Sequence, residues 1–202
     1  MTMILFLLSV MAISLSGVMM PGPVLAVTMI KSYRSQTAGM GIALGHGAVE
    51  FPLMLLIYFG LIEFLKLPVF KSIIGLVGGL TLIYLGTGVI RHRSSSIQES
   101  ENLAYNSVAA GALASASNPY FFLWWATIGA ALIMKSTSFG LVGFILLATV
   151  HWLCDLGWYL TVSLAIYRTQ RFWGGKLQKI LYAICGLILF GFGVYFIYSA
   201  VR

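Results

Sequence analysis

Six stretches of this chain, about residues 3–30, 38–62, 68–90, 105–134, 138–167 and 177–201, are apolar over more than the roughly 20 residues an α-helix needs to cross a bilayer. That repeated length is the strongest constraint on the fold. In lipid every backbone donor and acceptor must be satisfied by the protein itself, which leaves helices or a closed barrel. The stretches lack the sustained apolar/polar alternation of barrel strands. The expected class is therefore an all-α membrane protein with six transmembrane helices. Composition agrees: 60% of residues are apolar, 8% are charged and the mean hydropathy is +0.97, whereas a soluble domain carries about a quarter charged residues.

The net charge of +7 would suggest nucleic acid in a soluble protein. Here the Lys and Arg residues fall in small groups between apolar stretches, the pattern of topology signals, and no nucleic-acid partner is expected. Eight of them (Lys31, Arg34, Arg91, Arg93, Arg168, Arg171, Lys176, Lys179) follow the first, third and fifth stretches, against four (Lys66, Lys71, Lys135, Arg202) on the other side. The positive-inside rule then places both termini outside and the polar connection of about 91–105 in the cytoplasm. The first stretch lacks a basic leader and a small-residue cleavage site, so it reads as a span and not a removable signal. Cys154 and Cys185 offer neither a disulfide framework nor metal-ligand spacing.

The polar connection divides a single transmembrane domain into halves of about 1–93 and 105–202, each with three spans. A repeat with an odd number of spans is inverted in the membrane, and one is visible. At an offset of 105 residues His46 and Glu50 (HGAVE) fall on His151 and Asp155 (HWLCD), and LIYLGTGV at 82–89 falls on LILFGFGV at 187–194. In the first span GVMMPGPVLAV carries Pro21, Gly22 and Pro23; in the fourth, SASNPYFF carries Ser117, Asn118 and Pro119. Pro21 maps on Pro119 at an offset of 98, and the seven-residue difference is expected in the turn after the fourth span. Prolines at membrane depth free backbone groups that only protein or a wet cavity can satisfy. Interrupted helices in corresponding positions are the best sequence pointer to a transporter's binding site. A kink that serves packing alone is the plainer alternative.

Of the five acidic residues only Glu50 and Asp155 lie near mid-span, each with a histidine one turn earlier, His46 and His151. A charge at that depth costs roughly 2.5–3.5 kcal/mol on insertion scales, and residues four apart share a helix face. Three readings stand side by side. The four groups could exchange protons, since carboxyl and imidazole both titrate. They could ligate a divalent metal, or hold the bundle together by interhelical hydrogen bonds. The glycines at 41, 45, 75, 78, 79 and in both GxG pairs read as helix-packing positions. Trp124, Trp125, Trp152 and Trp158 stand near the fourth-span break or beside Asp155.

The chain resembles the lysine exporter (LysE/RhtB) family of small prokaryotic six-span membrane proteins. PGP at 21–23, GMGIALGHG opening the second span, LIYLGTGVIRHR closing the third, ASNPYFFLWW in the fourth and the Asp155 region carry the likeness. It implies two inverted three-helix repeats and export of amino acids or related small solutes by ion exchange. Pro21, Gly22, Pro23, Asn118 and Pro119 would shape the site, with Asp155 as the acid of span five. Family members often carry a polar residue after PGP, where this chain has Val24. The wider superfamily includes heavy-metal exporters and thiol-disulfide electron carriers. The latter need paired cysteines on related helices, and both cysteines here lie in the second half.

The expected function is export of amino acids across the prokaryotic plasma membrane by proton antiport. Pro21, Gly22, Pro23, Ser117, Asn118 and Pro119 would bind substrate, and Glu50, Asp155, His46 and His151 would carry protons. The same four residues are the ligand set of the alternative, a divalent metal exporter; a non-transporting membrane scaffold is the third reading. No enzymatic activity and no cofactor are expected. The partners are a small-molecule substrate and the lipid bilayer, with homo-oligomerisation left open.

Overall fold

The computed structural model describes residues 2–60, 62–91, 106–172 and 175–201. Most of the 91–105 connection, Arg93, Trp173 and Arg202 lie outside them. Among the described residues every regular element is helical: α1 (Met3–Val18), α2 (Pro23–Ser32), α3 (Ala38–Tyr58), the short α4 (Ile62–Lys66) and α5 (Pro68–Arg91). Then come α6 (Ser107–Ala116), α7 (Pro119–Trp124), a π turn (Trp125–Gly129), α8 (Ala130–Ser136), α9 (Gly140–Thr169) and α10 (Gly175–Val201).

Four helical segments are long and apolar enough to cross a membrane: Ala38–Tyr58, Pro68–Arg91, Pro119–Phe172 and Gly175–Val201. The pair α1 and α2, bent by 74° at the break between them, makes a fifth if it is one span. The 54-residue segment Pro119–Phe172 is not straight. Trp124 and His151 have ring centroids 5.3 Å apart, although a straight helix would hold them about 40 Å apart. The chain doubles back at Thr137–Gly140, where Gly140 takes φ +68°, a left-handed conformation that glycine adopts without a Cβ clash.

Both helix breaks follow from the prolines. Pro23 and Pro119 each occupy the first turn of the helix after the break, behind Gly22 and Asn118. The missing proline N–H does no harm there, because it would have had no partner. By position in its helix Pro119 is like Pro23 and unlike Pro21, which lies before α2. The extra residues of the second half also lie elsewhere than expected. α7, the π turn and α8 run from Pro119 to Ser136, while α2 has only 10 residues, and the turn at Thr137–Phe139 is short. The difference lies in the helix after the break.

Small residues set the helix spacing. α5 and α10 pack antiparallel: a Cβ on Gly79 would lie 2.7 Å from Gly193 O, and one on Gly86 2.7 Å from Gly186 O. α3 and α6 run side by side in the same direction, with Gly45 against Val108 O and Gly111 against Ile42 O so closely that any Cβ would overlap. Gly41, Gly75 and Gly78 are in tight contact as expected, but of the two GxG pairs only Gly86 and Gly193 are, since a Cβ on Gly88 or Gly191 meets nothing within 4 Å.

These pairings bring Lys31, Arg34 and Arg91 to the end of the bundle where α10 starts. Tyr33, between Lys31 and Arg34, donates to Gln178 Oε1 at 3.1 Å near the start of α10. Arg91 ends α5 where Ile90 packs on Gly186. The interior divides into two apolar clusters. One holds Ile42, Ala43 and Tyr159 with α2, α5 and α10; the other holds Leu53, Met54, Phe144 and Leu147 with α1 and the Pro119–Ser136 segment. On α3 the residues between the clusters include His46 and Glu50, and on α9 they include His151 and Asp155. All four are buried.

Candidate functional site

Glu50 and Asp155 stand near the middles of α3 and α9, and the two helices pack against each other, which brings both His-x-x-x-carboxylate faces together. Glu50 Oε1 lies 3.1 Å from His46 Nε2 and 3.1 Å from His151 Nε2. Asp155 Oδ2 lies 3.7 Å and 3.6 Å from the same two nitrogens. Each imidazole nitrogen thus faces two carboxyl oxygens from different halves of the chain. The four side chains, 105 residues apart in pairs, form one cluster.

Two serines orient the rings. Ser115 Oγ is 2.6 Å from His46 Nδ1 and also donates to Gly111 O at 2.8 Å. A hydroxyl has one proton. With that proton on Gly111 O, Ser115 can only accept from His46, so Nδ1 carries a hydrogen and Nε2 is the exchangeable position facing the carboxyls. For the 3.1 Å contact between His46 Nε2 and Glu50 Oε1 to be a hydrogen bond, one further proton lies on the imidazole or the carboxyl. On the other side Ser14 Oγ pairs with His151 Nδ1 at 2.7 Å. Each histidine of one half is held by a serine of the other.

Trp125 completes the first side of Glu50, donating Nε1–H to Oε1 at 3.3 Å. Its ring lies over Gly129 at the end of the π turn, where a Cβ would overlap the indole. Such turns recur at functional sites because the extra residue re-aims a side chain. Beyond these contacts, neither Glu50 Oε2 nor Asp155 Oδ2 has a hydrogen-bond donor among the described residues, although both atoms are buried. A buried carboxyl oxygen without a donor is costly unless a proton or a cation meets it.

A cavity of about 540 Å³ opens beside these atoms. All four of His46, Glu50, His151 and Asp155 line it, and so do both helix breaks: Pro21, Gly22 and Pro23 on one side, Asn118 on the other. Ser117 and Pro119 do not. Ser117 is buried with its carbonyl against Gly78, and Pro119 starts α7. Asn118 is committed to its own helix, accepting Tyr120 N–H on Oδ1 at 3.1 Å, whereas the N-terminus of α2 has no side-chain cap.

Sequence reasoning did not single out Ser14, Ser115 or Tyr159. A serine in an apolar helix carries no signal, because its hydroxyl is usually satisfied by the preceding turn. Of the flagged tryptophans, Trp124 and Trp125 line the cavity, while Trp152 donates to Ala43 O at 3.0 Å and ties α9 to α3.

Interrupted helices that meet buried ionisable groups at a cavity within an apolar bundle are the build of a secondary transporter. Comparison with known proteins makes the class specific. Residues 15–200 match the family model of the LysE type translocators, and the chain belongs to that family, a multi-pass membrane transporter. It is 28% identical over 157 residues, 74% of either chain, to a protein of Bacillus subtilis (strain 168) named "Putative amino acid efflux protein YcgF". No solved structure matches it significantly.

Proposed function

We propose that this protein exports amino acids or related small solutes across the plasma membrane by proton antiport. In this reading six spans form two inverted repeats of three, α1–α2 corresponding to α6–α8, α3 to α9 and α5 to α10. The basic end of the bundle and the 91–105 connection face the cytoplasm and both termini face outward. The observation that carries the reading is the convergence of both helix breaks and both His/carboxylate pairs on one cavity. The efflux name of the Bacillus relative supports the substrate class.

Coupling follows from competition. Glu50 Oε2 and Asp155 Oδ2 need a positive partner, which a proton or the ammonium group of an amino acid supplies equally well. A proton arriving from outside displaces the ammonium and releases the solute; a solute arriving from the cytoplasm displaces the proton. His46, with Nε2 facing both carboxyls, passes the proton between them.

The test uses purified protein in liposomes with a pH-sensitive dye inside and an imposed proton gradient. Proton flux that depends on an added amino-acid pool is the expected result; no solute-dependent flux would defeat the proposal. A divalent metal as cargo is the second reading, because His46, Glu50 and Asp155 offer ligand atoms all within 4.8 Å of one another. Flux driven by manganese or zinc salts and not by amino acids would establish it.

A further inference from the structure

Among the described residues that line the cavity, Glu50 and Asp155 are the only acids, and none is Lys or Arg. The two acids stand close enough to serve one cation together, with ligand atoms within 4.8 Å. A solute with a second ammonium or guanidinium would find no second acid, and a solute with a carboxylate side chain would find no Lys or Arg, while the two imidazoles on the wall are already held between the serines and Glu50. An unpaired charge taken out of water costs several kcal/mol. The cavity is built for one positive group.

A counterpart for a single negative group lies on another wall. The N-terminus of α2, a helix of 10 residues without a side-chain cap, faces the cavity through Gly22, Pro23, Val24 and Leu25. The first intrahelical donor there is Ala26 N–H, bonded to Gly22 O at 3.0 Å. The N–H groups of Val24 and Leu25 therefore precede the helix's own hydrogen-bonding pattern, and the helix dipole adds to their attraction for an anion. The independent sign of a ligand is Glu50 Oε2, a buried carboxyl oxygen without a donor among the described residues, on a side chain that lines the same cavity. The equivalent end of α7 is closed by Asn118, so the two breaks are not interchangeable.

Apart from Ser14 and Thr127, the rest of the wall is mostly apolar and aromatic, with Leu25, Tyr120, Phe121, Leu123, Trp124 and Phe192 among its residues. Val24 belongs to it as well. Resting on the export reading above, we infer that the cargo is a zwitterionic amino acid with a bulky, uncharged apolar side chain. Its carboxylate sits at the N-terminus of α2, its ammonium at Asp155 and Glu50, and its side chain lies among the aromatic residues. Aromatic rings add stacking geometry to area burial, so phenylalanine is the natural probe.

The test measures proton-driven transport of radiolabelled L-phenylalanine in proteoliposomes of the full chain, with competitors added in excess. L-leucine and L-tryptophan are expected to compete, while L-lysine and L-glutamate compete at least about tenfold more weakly, as the cost of an unpaired buried charge requires. Phenethylamine, which lacks the carboxylate, and 3-phenylpropionate, which lacks the ammonium, are each expected to lose at least about tenfold, the scale of one charge-assisted hydrogen bond. Equal competition by lysine or glutamate would overturn the apolar class and leave amino-acid export standing. Equal competition by phenethylamine would overturn the role of α2. If no amino acid of any class moved, export itself would fail and the inference with it.

Discussion

Replacing Ser115 by alanine removes one oxygen from the wall of the cluster and tests how the proton is held. The hydroxyl accepts from His46 Nδ1 at 2.6 Å while its own hydrogen is on Gly111 O at 2.8 Å. That arrangement leaves Nε2 free to take up and return a proton beside Glu50 and Asp155. Without the oxygen, the protonated ring loses a bond to a charged donor, about 1.5–3 kcal/mol. The neutral ring also becomes free to place its hydrogen on Nε2, where it can donate but no longer accept. At about 1.4 kcal/mol per factor of ten, gradient-driven transport by Ser115→Ala should fall roughly 10- to 100-fold. Exchange of labelled for unlabelled solute across a membrane without a proton gradient needs no net proton movement. It should fall less than about fivefold, the equivalent of one neutral hydrogen bond at about 1 kcal/mol. Both rates come from the same proteoliposomes. Gradient-driven transport at the wild-type rate would refute the assignment of the exchangeable proton to His46 Nε2, and equal loss of both rates would point to a damaged fold.

The carboxylates themselves give a sharper loss: Glu50→Gln or Asp155→Asn should abolish gradient-driven transport while the protein still elutes as a folded species on gel filtration, and full transport by both would sink proton coupling. Trp125→Phe removes the 3.3 Å donor to Glu50 and should lower thermal stability by the equivalent of about 1–2 kcal/mol, read from the unfolding midpoint in detergent. Gly45→Ala forces a methyl into Val108 O on α6. It should destabilise by about 1–3 kcal/mol and reduce the yield of folded protein, whereas Gly88→Ala, with nothing within 4 Å, should hold or raise the midpoint, since alanine favours the helix by up to about 1 kcal/mol.

The parts of the site legible in the sequence are those that membrane depth makes expensive. Glu50 and Asp155 stood out because acids are rare in apolar segments, and the 105-residue offset tied them together before any packing was known. The prolines marked both breaks for the same reason. Register was harder to read. Pro23 and Pro119 are equivalent as first helical residues, but the sequence offers Pro21 and Pro23 at one break and a single proline at the other, and only the helix geometry separates them. The π turn at Trp125–Gly129 leaves no compositional trace, since it changes hydrogen bonding and not residue type. Ser14 and Ser115 become visible only when helices from opposite halves are packed.

The two apolar clusters described above meet at a polar seam, and α3 and α9 both run through it. Each of these helices is weakened just past its acid. Pro52, two residues after Glu50, cannot donate the helical bond to Ala48 O. Gly157, two residues after Asp155, has open space where a Cβ would be and costs about 1 kcal/mol of helix propensity relative to alanine. Pro52 and Gly157 are themselves 105 residues apart. Both helices are thus weakened two residues past their buried acids. A change in which partner neutralises the seam would therefore act where both helices are weakened.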